Sequence, residues 1–489
     1  MLVFIAIMGA AIPAHAGEPS SSLPELCNGS CAGINQNTSG ISSIVSDSTT
    51  MDIHQNDGTA NLNWNSFNIG TGNTVEFHQP GAEAIAINKI FGNDPSKIYG
   101  NLIANGNVYL INSNGIIFGK DSQVNVRSLI ASTLDIQRDE NGDPIAIADA
   151  INDREAAFEH DGNTLMGVIR IEEGAVLTTE RLDEDGNNMH EAGGRIMIFA
   201  PQIDNAGEIR TPEGQTILAA SHDKVYLRIL ADEDKYDKNE YIRGFYVEVE
   251  TGGDVNNLGN IIAERGGNIT LMGMAVNQSG LVQATTSVSE NGSIRIIARD
   301  SVNSSYIADA DRWRKGYLSN QTGTVVFGEG STTQVIPEKS DTTKAVDDLE
   351  QLESWVEAVA SDISVENNAE IRATGGRINL VATDKPGNTE INEKTENRIY
   401  LAEGSVLDVS GSNDAVENME RNVVEVELRS NELKDSPIQR DGALRGETVY
   451  VDIREGTDLA DISGAVSGIE RGVDERLSEG GEINLTSSG

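Results

Sequence analysis

The chain is poor in the residues on which most chemistry and most small secreted folds depend. Its 489 residues include two cysteines, six histidines and three tryptophans, and aromatic residues make up 4% of the total. Two cysteines cannot build a disulfide scaffold or complete a structural zinc site. The histidines, at positions 15, 54, 78, 160, 190 and 222, are scattered and show no metal pair by spacing, so no metal and no cofactor are expected. No nucleophile elbow and no phosphate-binding loop occurs. Positive charge is also scarce, with 36 Lys and Arg against 77 Asp and Glu and a formal net charge of -41. A surface this acidic repels phosphate backbones and anionic lipid, which argues against nucleic acid as a partner and against membrane adsorption by charge. Apart from residues 2–12, which are too few to span a bilayer, the amino-terminal region has no long apolar run.

What is present is glycine, 50 residues of it, with 38% hydrophobic residues. That combination describes many tight corners around a core too narrow for large rings, with enough apolar surface to fold. The acidity reads first as solubility. Calcium binding by loops such as Asp139-Glu140-Asn141-Gly142-Asp143 and Asp183-Glu184-Asp185-Gly186-Asn187 is the alternative. Neither loop has the twelve-residue ligand spacing of an EF-hand.

Residues 1–16 read as a signal peptide, because small residues at Ala14 and Ala16 suit cleavage after Ala16. The absence of a basic n-region suggests a true start upstream of Met1. Residues 17–34 form a linker in which Cys27 and Cys31 are expected to close a small disulfide loop, since no histidine or second cysteine pair lies near them. At the other end, 480–489 is one more strand with no polar cap after it, which suggests a longer passenger.

Between Trp64 and Ile136 short apolar strands alternate with Gly and Asn corners, among them Ala84-Ile85-Ala86-Ile87, Val108-Tyr109-Leu110-Ile111 and Gly115-Ile116-Ile117-Phe118-Gly119. Val, Ile, Phe and Tyr suit a pleated, packed surface. Further on, two phrases recur. One is Gly-Gly followed by an alternating strand, as in Gly193-Gly194-Arg195-Ile196-Met197-Ile198, Gly266-Gly267-Asn268-Ile269-Thr270-Leu271, Gly375-Gly376-Arg377-Ile378-Asn379-Leu380 and Gly480-Gly481-Glu482-Ile483-Asn484-Leu485. Its isoleucine and the residue two further on share one face, and the residue between them points outward. The other phrase is Ile203…Gly207…Ile209, repeated as Val255…Gly259…Ile261, Val276…Gly280…Val282 and Val365…Ala369…Ile371. A repeat of about 21 residues, from Gly259 to Gly280, is one turn of a parallel β-helix. The fold class is therefore all-β, a right-handed parallel β-helix (solenoid), the hand following from the twist preference of parallel crossovers. Asn101, Asn105, Asn112, Asn114, Asn257 and Asn277 are candidates for hydrogen-bonded ladders between stacked corners. Charged inserts interrupt the rungs at about 137–164, 180–191, 230–246, 303–361, 384–398 and 412–447. Within the fourth, Val346, Leu349, Leu352, Trp355, Val356 and Val359 recur at three and four residues and predict an amphipathic helix over 344–361.

Asn63-Trp64-Asn65-Ser66-Phe67-Asn68-Ile69, Val75-Glu76-Phe77, Asn88-Lys89-Ile90, Pro95-Ser96-Lys97-Ile98-Tyr99-Gly100, the block from Leu110 to Gly119 and Ala131 to Ile136 together resemble the amino-terminal secretion domain of filamentous haemagglutinin-type exoproteins. The likeness is strongest to the high-molecular-weight adhesins exported by two-partner secretion. The family's usual turn, Asn-Pro-Asn-Gly-Ile, reads Asn112-Ser113-Asn114-Gly115-Ile116 here. The resemblance implies a capping secretion domain over 35–290, with the cap itself from about 35 to 66, and β-helical passenger repeats over 291–489. It implies export by an outer-membrane β-barrel transporter with periplasmic domains, and delivery to the medium or the cell surface. A host-cell receptor or glycan follows as a further partner of an adhesin. By the same resemblance Asn63, Trp64, Asn65, Ser66, Phe67, Asn68, Ile69, Asn112, Asn114, Gly115 and Ile116 are the secretion motif, either as transporter recognition or as structural corners.

Three alternatives share the scaffold: a polysaccharide-active β-helical enzyme, the amino-terminal part of a contact-dependent toxin, and a haem-related exoprotein. An enzyme would need carboxylates placed on one face of consecutive rungs, whereas the acidic residues concentrate in the inserts. No enzymatic activity is expected.

Overall fold

The structure, a computed structural model, describes residues 22–27, 31, 38–137, 155–160, 166–180, 193–229, 244–302, 319–320, 322–346, 349–384, 396–428, 442–458 and 461–488, with a few isolated positions between 145 and 162. The expected signal peptide and the two acidic loops at 139–143 and 183–187 lie outside them. The first ten strands are β1 (Glu25–Leu26), β2 (Ile41–Ser46), β3 (Thr50–Gln55), β4 (Thr59–Ser66), β5 (Thr74–His78), β6 (Ile85–Ile90), β7 (Ser96–Ile98), β8 (Asn101–Ile111), β9 (Ile116–Phe118) and β10 (Gln123–Ser132).

Parallel pairing arranges these strands in three stacks. In one, Thr74 of β5, Asn101 of β8 and Gln123 of β10 lie side by side. In the second, Thr59 of β4, Ile85 of β6, Asn107 of β8 and Ser128 of β10 do so. β8 and β10 thus run across two stacks, and β10 shifts register between Val126 and Ser128 where it turns the edge. The third stack begins with β7 and β9. All three continue to the far end. The second, for example, passes through Arg195–Ala200, Gln215–Ala220, Asn268–Gly273, Ser293–Ala298, Trp355–Ala360 and Arg377–Ala382 to Glu482–Ser487. This is a parallel β-helix.

Alternation dictates the core. Ile196 and Ile198, Ile269 and Leu271, and Ile378 and Leu380 are fully or almost fully buried inside the coil. Each such side chain contributes about 1.5–3 kcal/mol relative to an exposed one, and gains it only when the next rung closes over it. The rung spacing of 21 residues appears directly where Asn257 Nδ2 donates to Gln278 Oε1 at 2.6 Å. Asn205 Nδ2 donates to Asn257 Oδ1 at 2.7 Å in the same buried row, which ends with Gln278 Nε2 on the carbonyls of Gly280 and Thr332. A second row runs outside, from Asn277 to Asn256 to Asp204. Asn101 donates to Thr74 Oγ1, and Asn105 clamps the backbone N–H and C=O of Gln79.

The first turn is capped by antiparallel pairing. β2 folds against β3, and β1 lies against β4, so the leading sheet edge is covered. Cys27 is disulfide-bonded to Cys31, with Cα atoms 5.5 Å apart, and its N–H donates to the carbonyl of Asn63 in β4.

Three expectations are corrected. Among the described residues of 344–361 there is no helix; Trp355–Ala360 is a strand of the second stack between Ser293–Ala298 and Arg377–Ala382. Positions 356, 358 and 360 face inward and are fully buried, a period of two that the three- and four-residue spacing had masked. β-branched Val356 and Val359 favour the extended form. The 303–361 insert is likewise overstated, since Thr324–Phe327 and Thr332–Pro337 within it are ordinary rung strands joined without a Gly-Gly phrase. Finally, Met197, Thr270 and Arg295 do not face solvent. A four-stranded antiparallel sheet, Asp135–Ile136, Phe158–Glu159, Lys224–Arg228 and Tyr246–Val249, lies over the second stack. It closes a second apolar layer of Ile130, Met197, Phe199, Ile217, Met272 and Ile297 with Phe158, Val225 and Val247. Arg299 and Glu248, 1% and 3% exposed, are joined across this layer at 3.0 Å.

Candidate functional site

The two halves of the secretion motif are 49 positions apart between their first asparagines, yet they grip the same loop. Asn63 to Ile69 spans the end of β4 and the corner after it. Trp64 is fully buried, its ring meets Phe67 edge-on at 5.3 Å, and its Nε1 donates to Asn88 Oδ1 at 2.9 Å. Ile69 is buried and hydrogen-bonds through its backbone to Lys97 and Tyr99. Asn68 Oδ1 accepts from the Lys97 N–H at 2.8 Å. Asn65, exposed, reaches Glu25 of the cap, and Ser66 is its neighbour opposite Glu25 in the strand pairing.

Asn112, Asn114, Gly115 and Ile116 form the corner between β8 and β9, two rungs further on. Asn112 is fully buried; its Nδ2 donates to the Asp94 carbonyl at 3.1 Å and Ser96 Oγ at 3.0 Å, while its Oδ1 accepts from the Asn114 N–H. Asn114 Nδ2 donates to the Gly92 carbonyl at 2.8 Å. The Gly115 carbonyl accepts from the Ser96 N–H, and Ile116 is buried in the core. On the opposite side the Trp64 carbonyl accepts from Phe91, and Asn65 lies so close to Gly92 that a Cβ there would sit 2.1 Å from the Asn65 carbonyl oxygen.

The segment 91–98 is therefore held between the two motif corners, with Asn side chains supplying the hydrogen bonds that a corner cannot make within itself. Sequence reasoning left Gly92, Asp94 and Ser96 out of the site. Asp94 and Gly92 participate through backbone carbonyls, which no pattern of side chains reveals. Asn88 was missed as the partner of Trp64. Its signal was present: a polar residue inside the apolar run Ala84 to Ile90.

Beside the second corner, Lys89, Ile90, Ile111, Ser113, Thr133, Asp135 and His160 line a small cleft, closed by an ion pair between Lys89 and Asp135. Burial pushes the Tyr109 hydroxyl behind it up to about 12. This keeps Tyr109 neutral at any physiological pH, so the clasp carries no titrating phenol. The two corners themselves hold the segment through amides and carbonyls, suited to shape and to hydrogen bonding.

Gly115 sits at φ +112°, and a Cβ there would lie 2.7 Å from the Val168 carbonyl oxygen of the next rung. Gly115→Val is expected to cost about 1–3 kcal/mol from the backbone conformation alone, with the clash in addition. Chemical denaturation of the purified chain measures it; an unchanged midpoint would refute the strained corner.

A sequence profile of the family described as "TPS secretion domain" matches residues 31–296. Two heme/hemopexin-binding proteins of Haemophilus influenzae are similar to the chain, one 45% identical over 93 residues (19% of this chain, 10% of that protein), the other 39% identical over 110 residues (22% and 12%). The aligned parts thus span about a tenth of those relatives. The crystal structure of the HMW1 secretion domain from Haemophilus influenzae shares the fold, with a TM-score of 0.52 at 21% identity over 77% of this chain and 85% of that one. With more than half of its residues matched by the profile, the chain belongs to the family defined by the TPS secretion domain.

Proposed function

We propose that the chain is the amino-terminal part of a filamentous, haemagglutinin-like adhesin, carried through a dedicated outer-membrane β-barrel transporter and ending secreted or on the cell surface. The observation that carries this reading is continuity. Strand Ser293–Ala298, at the end of the matched secretion domain, pairs directly with Trp355–Ala360 and then Arg377–Ala382, so the domain runs into the repeats without a break. A rod that grows by stacking gains burial with each rung added outside the cell, which biases threading outward without ATP. In this reading the clasp around 91–98 is what the transporter's periplasmic domains meet. The same reading takes the chain to have no enzymatic activity, supported by outward carboxylates such as Glu264 and Asp408 being engaged with Arg210 and Arg372.

The identity shared with heme/hemopexin-binding proteins favours a second reading, a haem-related cargo for the same exported rod. Co-expression with the cognate transporter tests both. Asn112→Ala is expected to lower the melting temperature, because it removes a buried amide and its hydrogen bonds, and to reduce delivery to the medium or surface by more than an equally destabilised core variant such as Ile371→Ala does. Delivery lost only in proportion to stability would return Asn112 to a purely structural role. The exported chain is then probed with host cells and with haem: cell binding without haem binding supports the adhesin, and haem binding alone supports the second reading.

A further inference from the structure

The first two parallel strands carry a cluster that spacing along the chain conceals. In β3 and β5, residues 52, 54, 76 and 78 all take the outward positions, while Met51, Ile53, Val75 and Phe77 fill the core. Register sets Asp52 beside Glu76 and His54 beside His78. The gap of 24 positions between the two histidines is simply one rung. His78 Nε2 lies 3.1 Å from Asp52 Oδ1, and ligand atoms of Asp52, Glu76 and His78 all fall within 4.8 Å of one another. The His54 ring stacks on His78 at 4.6 Å between centroids and 15° between planes, which fixes the direction of the His78 ring.

Two carboxylates directly opposite on neighbouring strands repel, and they do so in a chain of net charge -41. A His–Asp pair in which each side chain is 42% exposed does little to offset this. A cation between the three groups would. We propose that Asp52, Glu76 and His78 form a binding site for a divalent transition-metal ion, with zinc the best match to one imidazole and two carboxylates. Zn–N and Zn–O bonds of about 2.0–2.2 Å place tetrahedral ligands roughly 3.3 Å apart, a spacing that small side-chain rotations reach from the present positions. Three protein ligands leave the fourth place for water or for a group from a partner. On either side the paired outward positions are apolar, Val45 of β2 opposite Asp52 and Ile103 of β8 beside Glu76. The ion joins β3, which pairs with β2 in the cap hairpin, to β5, its parallel neighbour one rung on. It acts as a staple between cap and coil.

The test uses the whole chain, stripped with a chelator and titrated with zinc chloride by calorimetry, with metal content measured after dialysis. One zinc per chain is expected, together with a rise in melting temperature on zinc addition. His78→Ala and Glu76→Gln should each weaken binding by about tenfold or more, by analogy with the effect of losing supporting ligands, and His222→Ala should not. Glu76→Gln also separates a site from a fold defect. It keeps the size of the side chain, and whatever its melting temperature without metal, zinc should no longer raise it. No zinc bound by the wild type, or variants that bind it as tightly, would overturn the proposal; so would a zinc-dependent rise that Glu76→Gln keeps in full.

Discussion

Trp64→Ala is expected to destabilise the chain by about 3–5 kcal/mol, the range for truncating a fully buried tryptophan. The ring fills the corner against Phe67 beneath the cap, and its loss also strips Asn88 Oδ1 of the indole N–H. Trp64→Phe separates the two contributions. It keeps most of the volume and should cost about 1–3 kcal/mol, chiefly for the unsatisfied amide oxygen. Urea unfolding of both variants gives the comparison. Because Trp64 lies at the start of the stack, its truncation should loosen β1 and β4 first, seen as faster amide exchange there than in the strands around 268–298. Uniform exchange along the chain would argue against a locally seated cap.

The second large effect lies on the other side of the coil. Glu248→Ala should cost about 3–5 kcal/mol, since it removes a buried carboxylate that accepts from the Arg299 guanidinium. The pair is a polar tie between the covering sheet and the coil, beside that of Gln215 with the Phe245 backbone. Replacing both residues together, Glu248→Met with Arg299→Met, should recover most of the loss, because removing a buried pair entirely is often close to neutral. Thermal melts of the single and double variants decide it. A double variant no better than the single would mean that the pair positions the covering sheet as well as neutralising it.

Much of the architecture was legible because each stack speaks through short local phrases. Ile196 and Ile198 announce an inward face, and the step from Gly259 to Gly280 gives the rung length without any knowledge of pairing. Trp355 to Ala360 shows where this fails: six residues rich in Val and Ala satisfy both a period of two and a spacing of three and four, and only a neighbour on each side settles the choice. The covering sheet was not legible at all. Its strands are two to five residues long and come from sections separated by charged stretches, so their antiparallel pairing depends on distance in space alone. In the candidate site the side chains Trp64, Asn68 and Asn112 were readable as a group by resemblance. The loop they hold was not, because Gly92 and Asp94 contribute only carbonyl oxygens.

The covering sheet gives this rod a front and a back. Between Ile130 and Ile297 the outer side of one stack is roofed, so a rung there meets its surroundings through two sides only. Those sides carry the polar rows, Asp204 with Asn256 and Asn277 on one, Arg210 with Glu208 and Glu264 on the other. Molecules lying side by side would therefore approach through hydrated, mainly acidic surfaces and resist sideways clumping. Along the axis, the leading edge is closed by β1 and β2, so contact through that end is hindered as well. Crowded chains are thus held apart as separate rods rather than drawn into bundles.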